Sequence, residues 1–133
     1  MPIGAAVRFL AERDPAKLLA GFVTVTVHLN ARIAPLYRIL VSAAGTDPDA
    51  AALLDGLTRQ RQQGQRLIAR SLARTGALRP ELRERDAADI IHALLSPEVY
   101  RLLVIDRGWK TERYQPWLAN TLVDQLLPRA PAT

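Results

Sequence analysis

Cysteine is missing from all 133 residues, which removes disulfide frameworks, thiolate zinc sites, iron–sulfur clusters and a cysteine nucleophile together. Histidine is restricted to His28 and His92, so very little metal chemistry is open to the chain, and no cofactor is expected. Long apolar runs are lacking too. The greasiest stretch, Leu18 to Ala31, holds 14 residues and includes His28 and Asn30, against the roughly 20 needed to cross a bilayer. It reads as a buried helix, and no membrane partner is expected. Met1 to Arg8 has no secretory pattern, because Arg8 breaks the apolar stretch and Glu12 and Arg13 follow, so the expected location is the cytoplasm. There is no Gly-rich phosphate loop, no G-x-S-x-G elbow and no H-E-x-x-H helix, and Ser42 and Ser71 have no His at helical spacing. No enzyme is expected on these grounds.

What is present is the balance of a single globular domain: 49% hydrophobic and 23% charged residues. The formal charge is +5, and 16 of the 18 cations are Arg, a bias that identifies no partner by itself. The whole excess lies in Arg59 to Arg85, with eight Arg against two Glu. Without interleaved aromatics for base stacking, this segment reads as a solvated helix face and loop rather than a nucleic-acid site.

Helical periodicity fills the intervals between Asp14-Pro15, Gly45-Thr46-Asp47-Pro48, Gly76 to Pro80, Ser96-Pro97 and Gly108, which makes the fold all-α. Asp14 as N-cap with Pro15 behind it starts a helix running, with a bend near Pro35, towards Ala44. Val23 to Val27 is β-branched, yet Leu18, Leu19, Phe22, Thr26, Leu29 and Ile33 keep helical spacing. A second helix follows Asp47-Pro48 to about Thr75, closed by Gly76. A third starts near Arg85-Asp86, is interrupted at Pro97 and restarts with Ser96 as cap; Thr111 caps the last, through Leu127.

Few residues invite chemistry. Arg61 projects close to the apolar stripe of the second helix, where a guanidinium needs a carboxylate, carbonyl oxygens or a ligand. Thr26, Asn30 and Tyr37 break up the apolar surroundings of the first helix as cavity residues would, while His28 either joins them or faces water. Asp89 and His92 share the three-residue spacing of carboxylate metal bundles, but only once, so a metal-assisted enzyme is the remotest alternative. Tyr100, Trp109, Tyr114 and Trp117 read as core or subunit interface.

The segments Gly76 to Pro80, Asp86 to Leu103 (Asp-Ala-Ala-Asp-Ile-Ile-His-Ala-Leu-Leu-Ser-Pro-Glu-Val-Tyr-Arg-Leu-Leu) and Gly108 to Leu122 (Gly-Trp-Lys-Thr-Glu-Arg-Tyr-Gln-Pro-Trp-Leu-Ala-Asn-Thr-Leu) resemble the regulatory domain of tetracycline-repressor-like (TetR/AcrR) transcription factors. The resemblance implies an all-α ligand-binding and dimerisation bundle over residues 14–127, flanked by a short connecting segment, 1–13, and a disordered tail, 128–133. It implies a homodimer joined by the last two long helices, with Ile91, Leu95, Val99, Leu102, Tyr114, Trp117, Leu118, Thr121, Leu122 and Gln125 at the interface. It also implies a small, largely apolar effector held in a cavity between the preceding helices without fixing the residues that line it; Phe22, Thr26, His28, Tyr37, Arg61 and His92 are the candidate wall residues. Residues 1–13 are too few to hold the helix-turn-helix domain of that family, so operator DNA is expected as a partner only through a domain outside this chain. The alternative is a helical dimer with a filled core, a structural role and no ligand.

Overall fold

The computed structural model describes residues 11–129, all helix and connecting loop with no strand among them. The expectations for 1–13 and 128–133 therefore fall mostly outside the described residues, which hold only 11–13 and 128–129 of them. Helix α1 is Pro15–Ala43, α2 Pro48–Arg74, α3 Glu84–Leu94, α4 Pro97–Tyr100, running on as a π-helical segment Arg101–Asp106, and α5 Thr111–Leu126.

The starts of α1 and α2 share one device. Asp14 accepts hydrogen bonds from the amides of Ala16 and Lys17, and Asp47 from those of Asp49 and Ala50, each with Pro as the first helical residue. Two orphan amides are satisfied, and the missing proline N–H costs nothing there. Gly76, at φ +70°, closes α2 in the left-handed region, and the Ala77 amide reaches back to the Leu72 carbonyl. At the far end Arg79 does the capping. Its guanidinium donates to the carbonyls of Leu127 and Asp124, satisfying the last turn of α5. Thr111 does not cap α5; Lys110 holds that position without a side-chain bond, and Thr111 is the first residue of the helix.

Helix α1 lies against α2, α4 and α5, while α3 packs on α2 and α5. Leu19, Phe22 and Val23 of α1 meet Ile68 and Leu72 of α2, Ala87 and Ile91 of α3, and Leu118, Leu122 and Leu126 of α5 in one core. This burial overrides the β preference of the Val23 to Val27 stretch, since each such side chain removed from water contributes about 1.5–3 kcal/mol. By length and composition α1 is apolar enough to cross a bilayer, although no single uncharged run in it is.

The π-helical segment was not foreseen. Its wider turns follow the Pro97 restart, leaving Leu102 and Ile105 half exposed, and it ends at Asp106, two residues before Gly108 turns the chain at φ +71°.

One expectation is corrected here. Ile91, Leu95, Tyr114, Leu118 and Leu122 are 0% exposed within the single chain, so none of them is free to meet a partner. The greasy stripe of α5, Tyr114-Leu118-Leu122-Leu126, recurs every four residues and is consumed by α1 and α3 of the same chain. Val99, Trp117 and Thr121 are half-buried, and Leu102 and Gln125 are exposed, so these five keep surface.

Candidate functional site

Polar groups are buried together mainly where the C-terminal half of α1 meets α2 and α4. The Pro97 break leaves the end of α3 without its regular continuation, because the Val99 amide goes to the Ser96 hydroxyl instead of the Leu95 carbonyl. Asn30, 1% exposed on α1, fills that gap: its Nδ2 donates to the Leu95 carbonyl at 3.2 Å. Its Oδ1 has no protein partner.

Two turns further along α1, the Tyr37 hydroxyl donates to Glu98 Oε1 at 2.5 Å. Glu98 sits in the first turn of α4, capped by Ser96, where the helix N-terminus favours a negative charge. Burial pushes the Glu98 carboxyl up, but the Tyr37 bond, its own backbone amide, the Arg61 charge and Ser96 together outweigh it and hold the group below its ordinary value. Tyr37 moves the other way: burial raises its phenol, as do its bond to Glu98 and that carboxylate's charge, against a smaller opposing pull from Arg61. A neutral phenol bonded to a carboxylate is the stable pairing.

Arg61 reaches this pair from α2. It is 7% exposed, and its guanidinium carbon lies 5.6 Å from the centre of the Tyr37 ring, a cation–π contact. Its Nη2 reaches the Thr58 hydroxyl at 3.5 Å, and Nε and Nη1 have no protein acceptor. The need for a counter-group read from the sequence is thus met in part by a ring face, a long contact and a nearby carboxylate.

Alongside lies a cleft of about 360 Å³, lined by Ala34, Tyr37, Arg38 and Val41 of α1 and, on the facing side, by Pro97, Glu98, Arg101, Ile105 and Asp106. The α1 residues follow helical spacing on one face, and the small Ala34 side chain leaves room. Arg101 pairs with Asp106 at 2.6 Å, and Arg38 has no ion-pair partner among the described residues. The size suits a small molecule, and apolar walls with a few convergent polar groups are what such sites use.

No family model, curated protein or solved structure matches the chain.

Of the six expected wall residues the structure brings two together, Tyr37 and Arg61. Phe22 is 1% exposed in the apolar core, and Thr26 is buried one turn further on. His28 is exposed, two residues from Thr26 and so on the opposite side of α1, and does not line a cavity. His92 is half-buried elsewhere, its Nδ1 2.9 Å from Gln65 Oε1, in a hollow of about 100 Å³ shared with Gln62, Arg66 and Asp89. No group of three or more metal-ligating side chains occurs among the described residues. Glu98 and Asn30 complete the site; Glu98 was hidden because a helix-start role already accounts for it, whereas Asn30 stood out as a polar break in α1 and only its partner, a backbone carbonyl 65 residues away, was not legible. Arg59, Arg66, Arg70 and Arg74 lie exposed along α2, with Arg70 4.0 Å from Glu84.

Proposed function

We propose that this chain is the effector-binding and dimerisation domain of a tetracycline-repressor-like transcriptional regulator, which senses a small, mainly apolar molecule in the cleft between α1 and α4. The observation that carries the reading is the pairing of that cleft with the Tyr37–Glu98–Arg61 group. Polar side chains are costly to bury, and here a half-satisfied set stands beside an apolar hollow rather than in the packed core. The likeness of Gly76 to Leu122 to that family supplies the class of function.

The cleft's two sides belong to different elements, α1 on one and α4 with the π-helical segment on the other, joined across it by the Tyr37–Glu98 bond. A ligand that fits one spacing of these elements better than another shifts their equilibrium by its difference in affinity, which is how such a domain signals to a DNA-reading domain. In this reading the protein works in the cytoplasm, and operator DNA is contacted outside this chain. Pairing of two copies uses the outward side of the α4 and π-helical region, where Leu102 is 49% exposed and, unlike Ile105, does not line the cleft.

Two measurements test the proposal. A thermal-shift screen with small apolar compounds is expected to find ligands that raise the midpoint, and sedimentation velocity at micromolar concentration a dimer that Leu102→Glu weakens. A monomer with no stabilising ligand defeats the reading. A dimer with no ligand favours the structural alternative, for which the dry packing around Phe22 speaks.

A further inference from the structure

We infer that the molecule held in the cleft is an apolar chain or ring ending in a carboxylate, and that Arg61 receives the carboxylate. This rests on the effector-binding reading and narrows it to a chemical class.

Arg61 supplies the first reason. Its side chain is more than nine-tenths buried, and two of its three nitrogens lack a protein acceptor. A guanidinium is a planar fork whose edges each match the two oxygens of a carboxylate, and withdrawing it from water without such a partner is costly. The existing contacts do not close the fork: Thr58 is met at the limit of hydrogen-bond length and Tyr37 through its ring face.

Charge supplies the second. Three guanidiniums, Arg38, Arg61 and Arg101, stand at or behind the cleft, against the two carboxylates Glu98 and Asp106. Asp106 is taken by Arg101 and Glu98 accepts from Tyr37. One positive charge is left over, and one ligand carboxylate balances it. A cationic ligand adds to the surplus, and a neutral hydrocarbon leaves the buried donors unmet.

The third is the layout. Ala34, Val41, Pro97 and Ile105 offer apolar contact for a tail, and Tyr37 is common to both regions, its ring against Arg61 and its side chain lining the cleft. A carboxylate entering beside Tyr37 takes the phenol's hydrogen bond that Glu98 now accepts; the unmatched Arg61 nitrogens are buried against the Tyr37 ring and are reached when that ring moves aside. Glu98 is thus the internal competitor of the ligand, and its release frees α4 from α1.

Isothermal titration of the full chain with sodium octanoate and, separately, 1-octanol near neutral pH tests this. The two share an eight-carbon tail and differ in the head group. Octanoate is expected to bind at least about tenfold more tightly. Arg61→Met is expected to abolish that preference. Glu98→Gln, which alters an exposed side chain and keeps Arg61, is expected to tighten octanoate alone, so the inference stays testable if Arg61→Met fails to fold. Equal binding of both probes, stronger binding of octanol, or octanoate affinity unchanged in both variants overturns the carboxylate assignment and leaves the cleft as a ligand site. No binding of either probe at millimolar concentration counts against this inference and the effector reading together.

Discussion

The two ends of α1 lie in contrasting surroundings. From Leu18 to Val27 its inward side chains, Thr26 apart, are apolar and join the hydrophobic core, whereas the stretch from Asn30 to Tyr37 meets a backbone carbonyl, a carboxylate and a guanidinium. The dry end is satisfied: removing any part of it opens a cavity. The polar end is under-satisfied, with Asn30 Oδ1, Arg61 Nε and Arg61 Nη1 unmatched. Packing of the first kind specifies a fold, and spare bonding capacity of the second kind is what a ligand uses.

The sharpest way to break this contrast is a pair of truncations. Phe22→Ala is expected to cost about 3–5 kcal/mol of unfolding free energy, read from the urea midpoint, because the cavity cannot collapse among residues with 0–1% exposure. Arg61→Met, nearly equal in length and without the charge, is expected to change stability by no more than about 1 kcal/mol or to raise it, since no ion pair in contact with Arg61 is lost. Equal losses at both positions would mean that the polar end is packing like the rest.

Helix starts come next in size. Asp14→Ala and Asp47→Ala are each expected to cost about 1 kcal/mol by the same assay, and these caps were the most legible feature of the chain, since Asp-Pro fixes both the acceptor and the first φ. The same local logic found the break at Ser96-Pro97 and the end at Gly76. Periodicity, in contrast, reveals that a helix face is covered without revealing by what. Tyr114, Leu118 and Leu122 have the spacing of a buried stripe, and nothing in that spacing distinguishes a neighbour in the same chain from a second copy. Arg61 could be read because a lone guanidinium in an apolar stripe is expensive wherever it goes; His28 could not, because two alternative faces of α1 each offered a reason for it.

Tyr114 is the exception inside the dry end, and a smaller effect sharpens the comparison there. Its hydroxyl is buried without a partner, while its ring meets Tyr100 edge-on at 5.7 Å and stacks near Trp117 at 6.2 Å. Tyr114→Phe keeps the rings and removes the unpaired group, with an expected gain of up to about 1 kcal/mol. Burial, helped by Tyr100, pushes the Tyr114 phenol up to about 12. A pKa raised in the folded state stabilises below the unfolded value of about 10 and is lost as pH climbs from there towards 12. Tyr114→Phe is therefore expected to flatten the alkaline decline in stability between those limits, measured by urea titration at successive pH values. An unchanged decline would assign it to other groups.

The smallest expected effect belongs to the polar end and has the opposite direction in pH. Glu98 is held below its ordinary pKa in the folded state, so the folded protein binds its proton less readily than the unfolded chain. Stability from this source is complete above the unfolded carboxylate range and falls away as pH drops through the folded value. Because Glu98 is largely open to solvent, screening keeps the contribution small. Comparing the acid limb of wild type with Glu98→Gln isolates it: the variant is expected to lose less stability on acidification below about pH 4. The Tyr37→Phe variant removes the hydrogen bond that depresses Glu98 and is expected to shift that limb the same way. If the two variants differ from wild type in opposite directions, the Tyr37–Glu98 bond is not what holds α4 against α1, and the polar end would have to be described as two independent groups rather than one site.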